Sequence, residues 1–271
     1  MNWKSLSQAE RDAAYDNARA VANSAELRAR RETSSAAYRK AHSTGLDVSY
    51  GPAPRHKWDL FPAPRRDAPC LVFIHGGYWQ MNSRESFACL AEGVATHGWS
   101  AALPSYTLTP EATLTGIVGE IGAALDWLGS EGSAFGVGGP IILSGWSAGG
   151  HLAAMLLDHP IVTAGLAISG IFDLAPLRDT YINDKLQLAD DEIDRCSPIR
   201  LPAVGKPLVV AFGTAELPAL VSQSKDFHAY RADSGAPGDL AAIEGADHFT
   251  ILESLAAPDG VLTRRLLRFQ S

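Results

Sequence analysis

Residues Ile141–Leu152 read IILSGWSAGGHL. The apolar run PIIL comes just before this turn region, and the helix-forming run HLAAML follows it. Between them, Gly145-Trp146-Ser147-Ala148-Gly149 has the pattern G-x-S-x-G. This pattern implies a sharp turn from strand into helix. The turn holds the serine in a strained conformation, and glycine two residues to either side removes the clashes that side chains would cause. The hydroxyl then projects from a sheet edge at a helix N-terminus, where free amides and the helix dipole favour negative charge. Five residues of this kind arise often by chance. The flanking strand and helix are what favour Ser147 as a nucleophile over a bland turn residue.

The same texture extends outward in both directions. CLVFIHGG from Cys70 is a continuous apolar run, which marks a strand covered on both faces. SAALPSY from Ser100, AGLAISG from Ala164, KPLVVAFG from Lys206 and DLAAIEG from Asp239 read alike. Helical stretches separate them. One opens at Pro110 and carries Ile117, Ile121, Leu125 and Leu128 at helical spacing, one runs through Lys225–Arg231, and one lies near Leu262–Phe269. Strands alternating with helices predict an α/β fold: a mostly parallel, doubly wound sheet with helices on both faces. LDVSYG and KWDLFPA flank the turn GPAPR and predict an antiparallel N-terminal strand pair.

Residues 5–41 differ, being rich in Ala, Arg and Glu. Ser7–Glu10, SQAE, has the capping-box pattern of a helix start. Tyr15, Val21, Leu27 and Tyr38 offer only sparse apolar contacts, too few for this segment to fold alone. The expected division is a helical arm over 1–45 packed on a body over 46–271. Within the body, 171–201 is polar and longer than a simple connection. It reads either as a cap-like excursion over a site or as a surface helix with a long loop.

Composition narrows the function. The 271 residues are 46% hydrophobic and 20% charged, enough for one large core, and the net charge of −7 is spread along the chain. Neither nucleic acid nor an anionic membrane is expected as a partner, since both need a basic face. The expected partner is a small molecule with an aromatic body, and a homodimer is left open. Cys70, Cys89 and Cys196 are far apart and form no CxxC pair, which suits a reducing compartment. No secretory signal and no apolar run of roughly 18 residues appears, so a cytoplasmic location is expected. Neither HExxH nor clustered His/Cys spacing is present, so no metal and no cofactor is expected. GSEGSAFGVGG lacks the GK[ST] ending of a phosphate loop.

A serine hydroxyl needs a base, and the base needs an orienting acid. His248, in IEGADHFTIL, follows a predicted strand near the C-terminus and is the favoured base. His151 lies one turn past the serine and reads as helix packing; His42, His56, His97, His159 and His228 read as surface groups. The first carboxylate after KPLVVAFG is Glu216, the favoured acid, with Asp173 second. The oxyanion of an acyl-transfer intermediate needs N–H donors. The amides of Gly77 and Tyr78, in HGGYW, and of Ala148 are the candidates, and His75 reads as a brace for that loop.

Together, HGGYW, GWSAGGHLA and GADHF resemble the α/β-hydrolase superfamily, and more narrowly the kynurenine formamidases and related small esterases. The likeness runs from about Tyr50 to the C-terminus and includes SYTLTPEATL, Ser105–Leu114. It implies an α/β-hydrolase fold and hydrolysis of an N-formyl aryl amide, or of small aryl or alkyl esters, through an acyl-enzyme. The family's usual acid is aspartate, whereas Glu216 stands at the matching position here. A noncatalytic hydrolase-fold receptor is the competing class, but neither nucleophile nor base is lost. Tyr78, Trp79, Tyr106, Trp146, Phe172 and Phe249 lie beside the expected catalytic loops. About half of them are expected to bind a flat substrate and the rest to pack the core.

Overall fold

The computed structural model describes residues 3–270; Met1, Asn2 and Ser271, at the outer ends of the two expected segments, lie outside the described residues. The strands are β1 Val48–Ser49, β2 Lys57–Phe61, β3 Cys70–Ile74, β4 Ser100–Pro104, β5 Ile141–Trp146, β6 Val162–Ile168, β7 Leu208–Gly213 and β8 Leu240–Ile243. They form one sheet of eight strands in the order β1-β2-β4-β3-β5-β6-β7-β8. The pairings β1–β2 and β2–β4 are antiparallel, and all others are parallel.

Continuous apolar strands follow from burial on both faces. In β3, Cys70, Val72 and Ile74 enter one core, while Leu71 and Phe73 enter the other. In β7, Leu208 and Val210 divide from Val209 and Ala211 in the same way. Side chains alternate across a strand, so every position meets a packed layer.

The helices are α1 Gln8–Ala13, α2 Asn17–Ala20, α3 Ser24–Ala41, α4 Ala91–Ala95, α5 Leu114–Glu131, α6 Ala148–Met155, α7 Asn183–Leu186, α8 Asp190–Cys196, α9 Pro218–Asp233, α10 Glu253–Ala256 and α11 Val261–Leu267. The apolar positions of α5, α6 and α9 join the first core; those of α4, α10 and α11 join the second. The helix expected to open at Pro110 begins instead at Leu114. Thr113 holds the extended N-cap conformation there, and its side chain accepts the Gly116 N–H.

The arm lies across the body. Ser7 and Glu10 close a reciprocal capping box at α1. Tyr15 is buried in the first core, while Val21, Leu27 and Tyr38 pack against the second. Arg39 on α3 donates to the fully buried Asp59 of β2 (2.7 Å), which also accepts from Arg84 (2.9 Å). Residues 171–201 pack down onto the body, with Ile171, Leu177, Ile182 and Ile193 in the first core. Among the described residues, no helix is long and apolar enough to cross a membrane.

Candidate active site

The parallel register builds the site. Ile74 of β3 pairs with Gly145 of β5, so both chains leave the sheet side by side. Two residues later Gly76 lies against Ser147, and a Cβ on Gly76 would meet the Trp146 carbonyl oxygen at 2.5 Å and Ser147 Cβ at 3.0 Å. Ser147 has φ 57° and ψ −119°, a conformation costing on the order of 1–3 kcal/mol for a residue with a side chain. The surroundings enforce it. A Cβ on Gly145 would lie 2.2 Å from the Gly149 oxygen, and one on Gly149 would lie 2.0 Å from the Ile74 oxygen. Ser147 N–H donates to the Ile168 carbonyl (2.8 Å), which fixes the turn against β6.

Helix α6 starts at Ala148, so the Ala148 N–H has no carbonyl within its own helix. Facing it, the loop after β3 runs through three consecutive positive φ values: Gly77 at 118°, Tyr78 at 49° and Trp79 at 58°. Asn82 Nδ2 donates to the Gly76 carbonyl (3.0 Å) and braces the loop. His75, buried beneath it, stacks on Tyr106 with ring centroids 4.4 Å apart. Burial pushes the His75 imidazole down to about 3.

His248 and Glu216 come from the loops after β8 and β7. His248 Nδ1–H donates to Glu216 Oε2 at 3.0 Å, an assignment that follows because an ionised carboxylate only accepts. Glu216 Oε1 accepts Ser169 Oγ–H (2.6 Å) and Gly213 N–H (2.7 Å), and its side chain is fully buried. Oε1 thus accepts two hydrogen bonds and Oε2 faces the His248 ring. Ala215 N–H donates to the Ala246 carbonyl (3.0 Å) and Gly245 N–H to Thr214 Oγ1 (2.8 Å), so the two loops are tied to each other. Trp146 Nε1–H donates to the His248 carbonyl (2.8 Å), and the two rings pack at 4.7 Å.

Ser147 and His248 line one cavity of about 100 Å³. Gly77, Tyr78, Trp146 and Phe249 share its wall. Trp79, Tyr106 and Phe172, expected to bind substrate, do not reach it. All three are fully buried in the first core: Trp79 packs edge-on against His151 (4.9 Å), Tyr106 donates to the His75 carbonyl (3.1 Å), and Phe172 stacks on Phe227 (4.2 Å). These rings brace the loops from behind. Asp173 is likewise apart from His248, with Oδ1 taken by Arg200 (3.0 Å) and the Ala175 N–H (3.1 Å). Asp247 Oδ1 accepts the N–H groups of Phe249 and Thr250. His151 is buried, and its Nε2–H donates to the Cys196 carbonyl (2.7 Å). His56 and His159, read as surface groups, are only part-exposed and lie 3.2 Å from Glu120 and Asp126.

The sequence missed Ser169 and the far wall of the cavity. Ser169 sits at the exit of β6 with φ 50°, and nothing in the local sequence marks it as a partner of Glu216. The far wall is Asp16, Asn17, Ala18 and Arg28 from the arm, with Tyr181 from the 171–201 segment. Tyr78 Oη–H donates to the Tyr15 carbonyl (2.6 Å) and accepts from Asn17 Nδ2 (3.0 Å), so the arm and the loop after β3 meet at one hydroxyl.

The chain is 32% identical to a Silicibacter protein whose crystal structure is described as that of a candidate thioesterase. The likeness covers 94% of this chain and 98% of that one, with a TM-score of 0.86. The chain belongs to the α/β-hydrolases. A sequence profile described as BD-FAE matches residues 59–158 of this hydrolase. It resembles kynurenine formamidase of Danio rerio at 27% identity over 98% of both chains, and that of Salmo salar at 29% over 83% and 81%. This α/β-hydrolase is of the esterase and amidase kind.

Proposed function

We propose that this α/β-hydrolase is a serine enzyme that removes a small acyl group, formyl foremost, from an aryl amine through an acyl-enzyme. The observation that carries the reading is the buried His248–Glu216 pair at 3.0 Å, whose histidine lines one cavity with a serine held at a strained strand-to-helix turn. Ser147 Oγ attacks the acyl carbon as His248 Nε2 takes its proton. Glu216, held at Oε1 by Ser169 and Gly213, keeps the His248 proton on Nδ1 through Oε2 and faces the imidazolium as it forms. The amides of Ala148, Gly77 and Tyr78 receive the oxyanion. His248 then protonates the leaving amine, and water cleaves the acyl-enzyme by the same route in reverse.

Two observations support a formyl group. The cavity of about 100 Å³ is small beside the roughly 300–1,000 Å³ of sites for drug-sized ligands. The full-length relatives from fish are named kynurenine formamidases. Trp146 and Phe249 supply flat apolar wall for an aryl body.

The test is parallel kinetics on N-formylkynurenine and on p-nitrophenyl esters of increasing acyl length. The expected result is the highest kcat/KM for the formamide and a steep fall along the ester series. Equal or higher values for the esters favour a general carboxylesterase. A groove of about 520 Å³ that shares Phe249 with the cavity gives that second reading the room it needs.

A further inference from the structure

Helix α3 presents two arginines toward the site. Arg28 and Arg31 are three residues apart and so lie on one helix face. Arg28 lines the cavity that holds Ser147, and its Nε–H donates only to the Ser24 carbonyl, at a long 3.4 Å. Among the described residues, no carboxylate makes an ion pair with it. Arg31 stands over the rings of Phe87 (4.1 Å) and Trp146 (5.8 Å), and Trp146 is itself in the cavity wall. Its Nε–H donates to the Ser86 carbonyl, while its buried Nη2 has no partner. Burial pushes Arg31 down to about 10, which still leaves it charged at neutral pH.

The other arginines of this helix behave differently. Arg30 pairs with Glu253 and Arg39 pairs with Asp59 and Asp47, as arginines on a folded surface usually do. A guanidinium that has no ion-pair partner and stands in the wall of an apolar cavity is well placed to receive an anion. Asp16 is the acidic side chain in the wall, and its Oδ1 is occupied in capping α2, where it accepts the Arg19 N–H at 3.0 Å.

We propose that Arg28 binds a carboxylate on the substrate close to the scissile bond, so that this hydrolase selects anionic aryl substrates over neutral ones of the same shape. The assignment rests on the reading of the Ser147 cavity as the catalytic site. Arg31, just behind, adds positive potential without direct contact. A fork of N–H donors suits a carboxylate, and a charge-assisted contact of this kind contributes about tenfold or more to binding. The recognition element thereby comes from the arm, outside the sheet that carries the chemistry.

The test compares phenyl acetate with 3-carboxyphenyl acetate, which differ by one carboxylate. In the wild-type protein the carboxylated ester should have the higher kcat/KM. The ratio should fall about tenfold or more in R28Q, fall less in R28K, and rise in D16N as a repelling charge is removed. Titration of phenol and 3-hydroxybenzoate into S147A and S147A/R28Q reads the same contact without turnover. The preference for the carboxylated ligand should be present in the first protein and lost in the second. An unchanged ratio in R28Q, or a wild type that prefers the neutral ligand, overturns the assignment. Turnover surviving in S147A would instead sink the serine reading, and the titration would still report on Arg28.

Discussion

The cavity has two walls built in opposite ways. On the sheet side, backbone packs on backbone. The separations that forbid a Cβ are 2.2 Å at Gly145, 2.0 Å at Gly149 and 2.1 Å at Gly213, each to a neighbouring carbonyl oxygen. On the arm side, the joins are side chains reaching across: Asn17 to Tyr78, Tyr78 to Tyr15, Gln8 to the Asp179 carbonyl, and the Tyr181 N–H to Asp12. Backbone contacts of the first kind cannot shift without moving a strand. Polar joins of the second kind exchange with water at a net cost of about 1 kcal/mol each. On the proposed reading, the bond-breaking groups stand on the backbone-packed wall and the recognition groups on the wall joined by side chains.

The largest effect tests the sheet wall directly. Ser147→Ala should lower kcat by about 10⁶-fold, because serine, base and acid act as a unit. Steady-state kinetics on the best ester would detect it, and a variant with near-wild-type turnover would place the nucleophile elsewhere. Glu216→Gln comes next. It keeps the size of the side chain but removes the charge that faces His248, and about 10⁴-fold is expected. Asp173→Asn should be mild, since Asp173 is engaged by Arg200. The reverse ranking would move the acid to Asp173.

Acid should loosen the sheet wall before the arm. In the unfolded chain a histidine takes up its proton near 6.5, but burial holds His75 down to about 3 and His151 to about 4. The folded state thus binds fewer protons between these values. Stability from this source is complete above pH 6.5 and drains as pH falls through that value toward 4 and then 3. By pH 5 the loss is about 2 kcal/mol for each histidine. Urea midpoints at pH 7 and pH 5 measure it, and His151→Gln should give a shallower pH slope than wild type. Equal slopes would show that His151 takes a proton inside the fold.

The same contrast explains what was legible in the sequence. The strands and the turn at Ser147 could be read because local chemistry dictates them: apolar runs where both faces are covered, and glycines where a Cβ would strike a carbonyl. His248 and Glu216 could be placed because each follows a readable strand. The arm's contribution could not be read. Asn17 and Arg28 lie more than a hundred residues from Ser147 in the chain, on helices whose polar faces look like ordinary solvated surface. Trp79, Tyr106 and Phe172 failed as substrate contacts for a related reason. Position beside a catalytic loop does not say whether a ring turns into the cavity or behind the loop, and packing against His151, His75 and Phe227 decided that.

The smallest change probes the seam between the walls. Tyr78→Phe removes the hydroxyl that joins the Tyr15 carbonyl and Asn17 but keeps the Tyr78 backbone N–H, the proposed oxyanion donor. The side chain's service to the arm is therefore separated from the amide's service to the reaction. Tyr15 and Asn17 are both buried, so the Asn17 amide is left without this partner away from water, while the Tyr15 carbonyl keeps the Asn17 N–H (3.1 Å). Stability should therefore fall by about 1–3 kcal/mol. Looser docking of the arm weakens substrate binding in ground state and transition state alike. KM should rise several-fold, within about tenfold, with kcat little changed. A matching fall in kcat at constant KM would break the division, because it would make the arm part of the wall that stabilises the transition state.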